Sequence, residues 1–183
     1  EPVLVCNDAA EFGQFQPPIT PFVPACSRYW CDSVLSTAEL WGDTTLAILG
    51  DVYFTESAID IIIETAKKGL KFFGRGNNSK LTDGPGEVFA CSWGKADVPR
   101  LKEALLAAIE DAKSLPQDIE RYRLASPWQP YRYLIGQPMQ SHAIDFAGGI
   151  WHDIDDWTDD FDNYPRYLKY KRKIEGNRIR IGG

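Results

Sequence analysis

The stretch that decides the fold is Thr45-Leu46-Ala47-Ile48-Leu49-Gly50-Asp51. Its first five residues are apolar or β-branched, which is typical of a short buried strand, and the strand is expected to end at Gly50. A glycine at this point lets another group approach the backbone closely. Asp51 follows at once, so the stretch predicts a buried strand that carries a carboxylate at its C-terminal end.

Helical and strand patterns alternate on both sides of this stretch. The helical patterns lie near residues 29–41, 55–68, 98–113 and 164–171. The strand patterns lie at residues 3–6, 70–73 and 87–93, with a strand or hairpin within 143–154. Residues 13–27 are rich in proline and are predicted as loop, and residues 114–140 as less regular. This alternation favours an α/β fold with a mostly parallel, Rossmann-like sheet covered by helices on both faces.

Composition narrows the class of protein. The chain has 183 residues and a net charge of −6, so we expect one domain over residues 1–172 and a basic tail over 173–183. An acidic chain is a poor binder of nucleic acid, and no apolar run approaches the length of a membrane span. The first residues have no signal-peptide pattern and no initiator Met, which predicts a cytoplasmic protein or a piece of a longer one.

The four cysteines are predicted to be reduced thiols. Cys6 and Cys91 lie in apolar strand patterns, where cysteine behaves as a small hydrophobic residue. Cys26 and Cys31 have no histidine or second cysteine pair nearby, which argues against zinc. A disulfide between Cys26 and Cys31 stays open as an alternative.

Polar residues follow several of the predicted strands. In a parallel sheet, ligands bind at the carboxyl ends of the strands. The residues expected at that edge are Asn7-Asp8, Gly50-Asp51 and Gly74-Arg75. Asp51 is therefore a candidate ligand of Mg²⁺, which prefers oxygen donors and often takes only one or two carboxylates. The alternative for Asp51 is a turn aspartate that accepts bonds from local backbone amides.

An acidic run occupies residues 152–162. If a strand ends here, Asp153 and Asp155 point to the same side and Ile154 to the other, which makes the two carboxylates a candidate metal clamp. The spacing excludes an EF-hand loop, because residue 164 is Tyr instead of the required Glu. For the later aspartates Asp159, Asp160 and Asp162, a solvated loop before the last helix is the preferred interpretation.

Two further residues are candidates for ligand contacts. Arg75 would pair with a phosphate or a carboxylate, and Glu87 would accept hydrogen bonds from sugar hydroxyls. The alternative for each is an ordinary surface position or a structural ion pair. No serine or cysteine lies in a nucleophile-elbow pattern, so covalent hydrolase chemistry has no support.

Taken in order, these blocks resemble the nucleotide-diphospho-sugar transferase superfamily, which has the GT-A-like fold. Leu49-Gly50-Asp51 is similar to the central-strand Gly-Asp that carries a metal-binding aspartate. Asp153-Ile154-Asp155 is similar to the late acidic segment of the cytidylyltransferase and molybdopterin-guanylyltransferase branches, with Trp157 in place of the usual proline. The resemblance covers residues 1 to about 172 as scattered short blocks.

The resemblance implies a metal-dependent nucleotidyltransferase that joins a nucleotide to a sugar phosphate, or to a similar phosphate, and releases pyrophosphate. Its metal would be Mg²⁺ or Mn²⁺, and its ligand a nucleotide or nucleotide-sugar. The implied metal ligands are Asp51, Asp153 and Asp155, of which Asp51 and Asp155 are the implied catalytic residues. The implied substrate contacts are Asn7, Asp8, Gly50, Arg75 and Glu87.

One departure from the family pattern is large. The glycine-rich loop that opens the family, with its phosphate-binding and basic residues, is absent from this sequence. Either the first βα unit is missing from the chain, or a second chain supplies it, or nucleotide transfer has been lost. Two alternatives therefore accompany the nucleotidyltransferase: a glycosyltransferase that uses a nucleotide-sugar donor, and a non-catalytic binding or assembly domain on the same fold.

Overall fold

The computed structural model describes residues 2–6, 20–76, 86–116, 124–141, 145–146, 149–161, 163–165, 167–168 and 170–172. Asn7, Asp8, Asp162 and the basic tail over 173–183 lie outside the described residues, and so do parts of the strand or hairpin predicted within 143–154. The chain divides into two compact units. One comprises Glu1–Asp43 and Lys95–Asp145, and the other comprises Thr44–Gly94 and Phe146–Gly183.

The first unit is mainly helical. Strands β1 (Val3–Val5) and β2 (Thr20–Phe22) form a separate parallel pair. Helix α1 (Trp30–Ser36) leads into a 3-10 turn at Ala38–Leu40.

The second unit holds the main sheet. It contains β3 (Thr44–Ile48), β4 (Val52–Tyr53), α2 (Glu56–Ala66), β5 (Lys71–Arg75) and β6 (Glu87–Gly94). The second segment of this unit contains β7 (Trp151–Asp153) and β8 (Asp159–Asp160). Helical backbone follows at 164–165, 167–168 and 170–172.

The other helices belong to the first unit. The long helix α3 (Val98–Ser114) follows a 3-10 turn at Lys95–Asp97 and has a proline in its first turn, where proline is tolerated. One face of the helix is apolar and buried, with residues that recur every three or four positions from Leu101 to Ala112, and α3 packs against both α1 and α4 (Trp128–Leu134). Among the described residues, no helix is long and apolar enough to cross a membrane.

The main sheet has the strand order β3-β6-β5-β7. Strand β6 is antiparallel to both of its neighbours, with Ala47 opposite Cys91 on one side and Phe72 opposite Cys91 on the other. Strands β5 and β7 are parallel. Helix α2 covers one face, where Ile62 packs with Phe73 and Phe89 in the buried cluster of this unit. Burial of the apolar α2 face supplies the stabilisation that an isolated helix of this length lacks.

The prediction of a mostly parallel, Rossmann-like sheet is wrong. Two of the three pairings in the main sheet are antiparallel, and β1 belongs to a different sheet. The reason lies in the connection between β5 and β6. Parallel neighbours need a crossover of a dozen or more residues, usually a helix, whereas no helical pattern lies between Arg75 and Glu87. The apolar runs predicted the strands but carried no information about their direction.

The directions of the strands nevertheless produce one shared edge. Because β3 and β5 are both antiparallel to β6, they run the same way, and β7 runs parallel to β5. Strands β3, β5 and β7 therefore end at the same edge of the sheet, where β6 begins. This edge carries Gly50-Asp51, Gly74-Arg75 and the start of the acidic run, three of the segments that the sequence predicted to contact a ligand.

Candidate functional site

We call the acidic edge the set of five residues that lie at this end of the sheet: Asp51, Arg75, Glu87, Asp153 and Asp155. Arg75 ends β5 and is opposite Glu87, the first residue of β6. Asp153 ends β7 and is followed closely by Asp155, whereas Asp51 follows β3 by a short turn. The remaining predicted contacts, Asn7 and Asp8, lie outside the described residues. The strand before them, β1, is not part of the main sheet.

The turn after β3 is open. Gly50 and Asp51 are both exposed, and a Cβ built on Gly50 meets nothing within 4 Å. Among the described residues, no atom therefore makes the close approach that Gly50 would permit. The backbone carbonyl of Asp51 accepts a hydrogen bond of 2.8 Å from the N–H of Phe161. This bond fixes the turn while leaving the carboxylate of Asp51 at the surface.

The end of β7 shows the alternation that the sequence predicted. Asp153 and Asp155 are exposed, whereas Ile154 between them is 1% exposed and belongs to the core. One oxygen of Asp153, Oδ1, accepts a hydrogen bond of 2.7 Å from the backbone N–H of Gly76. A Cβ on Gly76 would lie 3.1 Å from that oxygen, so any side chain there would require the carboxylate to shift by a few tenths of an ångström.

Arg75 is occupied by a structural partner. Its side chain is 4% exposed, and Nη1 lies 2.5 Å from Oδ1 of Asp159, whose side chain is 19% exposed. The guanidinium carbon also lies 5.9 Å from the centre of the Phe89 ring. The sequence left a structural ion pair open as the alternative for Arg75, and that is the contact observed. The expected solvated loop at Asp159 and Asp160 is wrong, because both residues form β8 and are partly buried.

Asp156 has a local structural role that the sequence did not predict. It accepts a short hydrogen bond from the hydroxyl of Thr55 and a 2.7 Å bond from the N–H of Thr158. Thr55 is also the N-cap of α2, where its hydroxyl accepts a 3.0 Å bond from the N–H of Ala58. The acidic run therefore contributes one aspartate to the start of a helix and another to a buried ion pair, and only part of it is available for a ligand.

Aromatic rings lie beside the acidic run. The ring of Phe161 makes edge contacts with Tyr53 at 6.5 Å, Tyr167 at 5.3 Å and Tyr170 at 5.4 Å between centroids. The Tyr170 hydroxyl donates a short hydrogen bond to the carbonyl of Trp157, and burial, followed by the nearby charge of Asp159, raises the pKa of Tyr170. These rings hold the acidic run against β4.

The three candidate metal ligands supply the oxygen donors that Mg²⁺ and Mn²⁺ prefer. Within the parts of the chain that the structure describes, no three Asp, Glu, His or Cys side chains are grouped closely enough to hold a metal ion by themselves. Strands β3 and β7 are the two margins of the sheet, about 14 Å apart at the usual strand spacing. Because Mg²⁺ binds its oxygen ligands at about 2.1 Å, a cation shared by Asp51 and the β7 aspartates requires the segments that follow β3 and β7 to approach each other.

The segments after Asp51 and after Asp155 do converge. Strand β4 follows Asp51, strand β8 follows Asp155, and the two pair with Val52 opposite Asp160 and Tyr53 opposite Asp159. This pairing, which the sequence did not predict, is the contact that brings the two acidic segments together. Strands of two residues give almost no periodic signal, so the sequence pattern did not predict that β4 and β8 pair.

Comparison with known proteins adds no relative: no family model, no curated protein and no solved structure matches the chain.

Proposed function

We propose that the acidic edge binds the phosphates of a nucleotide in the presence of Mg²⁺ or Mn²⁺, and that the chain transfers the nucleotide to a sugar phosphate or a similar phosphate. The observation that carries this proposal is that β3, β5 and β7 end at one edge, while β4 and β8 join the segments after Asp51 and Asp155. A cytoplasmic location, where such nucleotides are made and used, belongs to the same proposal.

The exposed carboxylates are the groups that would hold the cation. Asp51 and Asp155 are exposed, and Asp153 keeps Oδ2 after Oδ1 has accepted the Gly76 N–H. Mg²⁺ commonly takes one or two carboxylates and completes its coordination with phosphate oxygens and water. A bound divalent cation would offset phosphate charge and orient the phosphates for in-line displacement.

The reaction needs no nucleophile from the protein. An oxygen of the acceptor phosphate would form a bond to the α-phosphorus, and the bond from that phosphorus to the bridging oxygen would break, releasing pyrophosphate. The work of the protein is then to position two anionic substrates and to balance their charge. This agrees with the absence from the sequence of a paired serine or cysteine nucleophile and histidine base.

A second function, a non-catalytic binding domain, is favoured by one observation. Arg75, the one cation at the acidic edge, is buried against Asp159 and so is not positioned to contact a phosphate. Such a domain would still bind a cation or a phosphorylated ligand at the acidic edge, but it would form no product.

Calorimetric titration tests both functions. The chain is titrated with Mg²⁺ and Mn²⁺, alone and with each nucleoside triphosphate, and the titrations are repeated with Asp51→Asn and Asp155→Asn. We expect nucleotide binding that requires the cation and that each substitution weakens by about tenfold or more, since each removes a full charge next to the phosphates. Asp60→Asn is the matched control, because Asp60 is an exposed aspartate on α2 in the same unit.

The outcomes separate the functions. Binding followed by pyrophosphate release supports the nucleotidyltransferase, whereas release of a nucleoside diphosphate would indicate glycosyl transfer. Binding without any product supports the non-catalytic domain. A folded chain that binds neither cation nor nucleotide, or one whose binding Asp60→Asn weakens as much as Asp51→Asn does, would overturn the assignment of the acidic edge.

A further inference from the structure

The outer margin of β3 is an exposed strand edge. Strand β3 is the first strand of the order β3-β6-β5-β7, and within the part of the chain that the structure describes it has a neighbour on one side only. Thr44 and Ile48, at its two ends, are exposed, and Ile48 as a residue is 54% exposed. The outer margin is therefore accessible to another chain at both ends of the strand.

The hydrogen bonds of the ladder show which backbone groups face outward. The N–H of Leu49 donates to the carbonyl of Phe89, and the N–H of Lys95 donates to the carbonyl of Asp43. Bonded and non-bonded pairs alternate in an antiparallel ladder, so Thr45 and Ala47 also bond to β6. The N–H and C=O groups of the alternate residues point away from the sheet. These residues are Thr44, Leu46 and Ile48.

The two margins of the sheet differ in how they are protected. Natural sheets guard their edges with short strands, charged residues, proline or bulges. The opposite margin, β7, has only three residues and ends in Asp153. Strand β3 has five residues, Thr-Thr-Leu-Ala-Ile, without a charge or a proline, and the register shift of the sheet lies in β5 instead. The β3 edge therefore has none of these guards.

We propose that this edge pairs with the β3 edge of a second copy of the chain, in antiparallel orientation about Leu46. The three outward-facing residues are symmetric about Leu46, so Thr44 lies opposite Ile48 of the second copy and Leu46 lies opposite Leu46. Each of these pairs exchanges both of its main-chain hydrogen bonds, and no outward group between Thr44 and Ile48 is left over. The inference is independent of the function proposed for the acidic edge.

Side-chain chemistry fits the same register. The exposed Ile48 gains a cross-strand neighbour in Thr44 of the second copy, and pairs of β-branched residues are favourable at such positions. No charge lies within the paired segment, and the flanking Asp43 falls opposite Leu49, so no two carboxylates face each other. Each copy carries a net charge of −6, so repulsion between the copies weakens the dimer at low salt, and added salt strengthens it.

Sedimentation velocity over a concentration series, with hydrogen exchange read at single amides, tests the dimer. We expect a concentration-dependent dimer in which protection of the Thr44, Leu46 and Ile48 amides rises with concentration. The Ala47 amide, which already donates to β6, keeps its protection throughout. Because only outward-facing amides change, this pattern distinguishes edge pairing from any other mode of self-association.

Two substitutions address the edge directly. Ile48→Lys places a charge on the edge and should weaken dimerisation by about tenfold or more. Thr44→Pro removes an outward-facing donor at the first residue of the strand, where proline is tolerated, and should have the same effect if Ile48→Lys fails to fold. Leu106→Lys is the matched control, since Leu106 on α3 is also 54% exposed and lies away from β3 in the chain.

Several results would contradict the proposed dimer. A chain that stays monomeric up to about millimolar concentration overturns the proposal. So does a dimer that neither edge substitution weakens, or one that leaves the three outward amides unprotected. A monomer that instead binds extended peptides at β3 would show that the edge accepts a foreign strand and not a second copy.

Discussion

Gly74 lies where two strands of the main sheet approach each other closely. A Cβ built on Gly74 would lie 1.9 Å from the carbonyl oxygen of Glu87 and 2.6 Å from the Trp151 ring. The register between β5 and β6 shifts at the step from Phe73 to Gly74. Because the nearest atom belongs to the backbone of a central strand, a side chain here can be accommodated only by moving the strand.

We therefore expect Gly74→Ala to lower the free energy of unfolding by at least about 2 kcal/mol, in the range of other overpacked cores. Urea unfolding followed by circular dichroism measures the loss. Gly50→Ala is the control, because its Cβ meets nothing within 4 Å, and we expect a change within about 0.5 kcal/mol. Equal losses at the two positions would mean that the close contact at Gly74 does not limit stability.

For single residues, the sequence patterns predicted exposure more accurately than they predicted contacts. The alternation at Asp153, Ile154 and Asp155 was predicted from the period of a strand, and the observed burial follows it. The partner of Arg75 was not predicted, since Asp159 lies 84 positions away along the chain. No local pattern reports such a contact, because it depends on how β8 packs beside β5.

The elements β5 and β8 are joined by the buried ion pair between Arg75 and Asp159. Removing one member of a buried pair leaves an uncompensated charge, which costs far more than an exposed pair is worth. We expect Asp159→Asn to lower the free energy of unfolding by about 3 kcal/mol. The double variant Arg75→Met, Asp159→Leu should recover much of this loss, because it removes both charges and keeps apolar volume.

Urea unfolding of Asp159→Asn and of the double variant compares the two losses of stability. The exposed pair between Glu64 and Lys67, at 2.7 Å, supplies the control, and Glu64→Gln should leave stability unchanged within error. If Asp159→Asn lowers the free energy of unfolding no more than Glu64→Gln does, the Asp159 carboxylate does not stabilise the position of Arg75. The packing of Arg75 on the Phe89 ring would then be the dominant contact.

Elements were predictable in position but not in direction. The helices expected near 55–68 and 98–113 are α2 and α3, and the strands expected at 70–73 and 87–93 are β5 and β6. Helix α4 was not predicted, because Pro130 and the aromatic residues around it are not typical of a helix. Pro130 lies in the first turn of α4, where proline is tolerated. The predicted strand directions were also wrong, because a buried strand has a similar apolar sequence in a parallel and in an antiparallel pair.

For the whole molecule, we expect stability to fall at alkaline pH. Burial raises the pKa of the Cys91 thiol from 9.0 to about 12 and that of the Tyr131 hydroxyl from 10.0 to about 12. Between these values the unfolded chain has released the proton and the folded chain has kept it, so the unfolded state binds fewer protons. Raising the pH through this window therefore favours unfolding, and below pH 9 the contribution of Cys91 is fully present.

Urea unfolding at pH values from neutral to about 11 tests this expectation. Cys91 alone contributes a slope of about 1 kcal/mol per pH unit within the window, which Cys91→Ala should remove. Cys26→Ala is the control because Cys26 is an exposed free thiol, and it should leave the slope unchanged. A stability that stays constant to pH 11 would mean that the Cys91 thiol ionises without unfolding the sheet.

The late arrival of β7 has a consequence for synthesis of the protein. Strand β5 ends at Arg75, but its parallel partner β7 begins at Trp151, about 75 residues later in translation. At about 5–20 residues per second, a ribosome needs roughly 4–15 seconds to make that stretch. Once β6 has been made, the nascent sheet presents β5 as an open margin until β7 is added, and Phe72 and Phe73 lack the neighbours that they have in β7. Slow codons between these strands would lengthen that exposure, and a chaperone that binds apolar strands would have its best opportunity there.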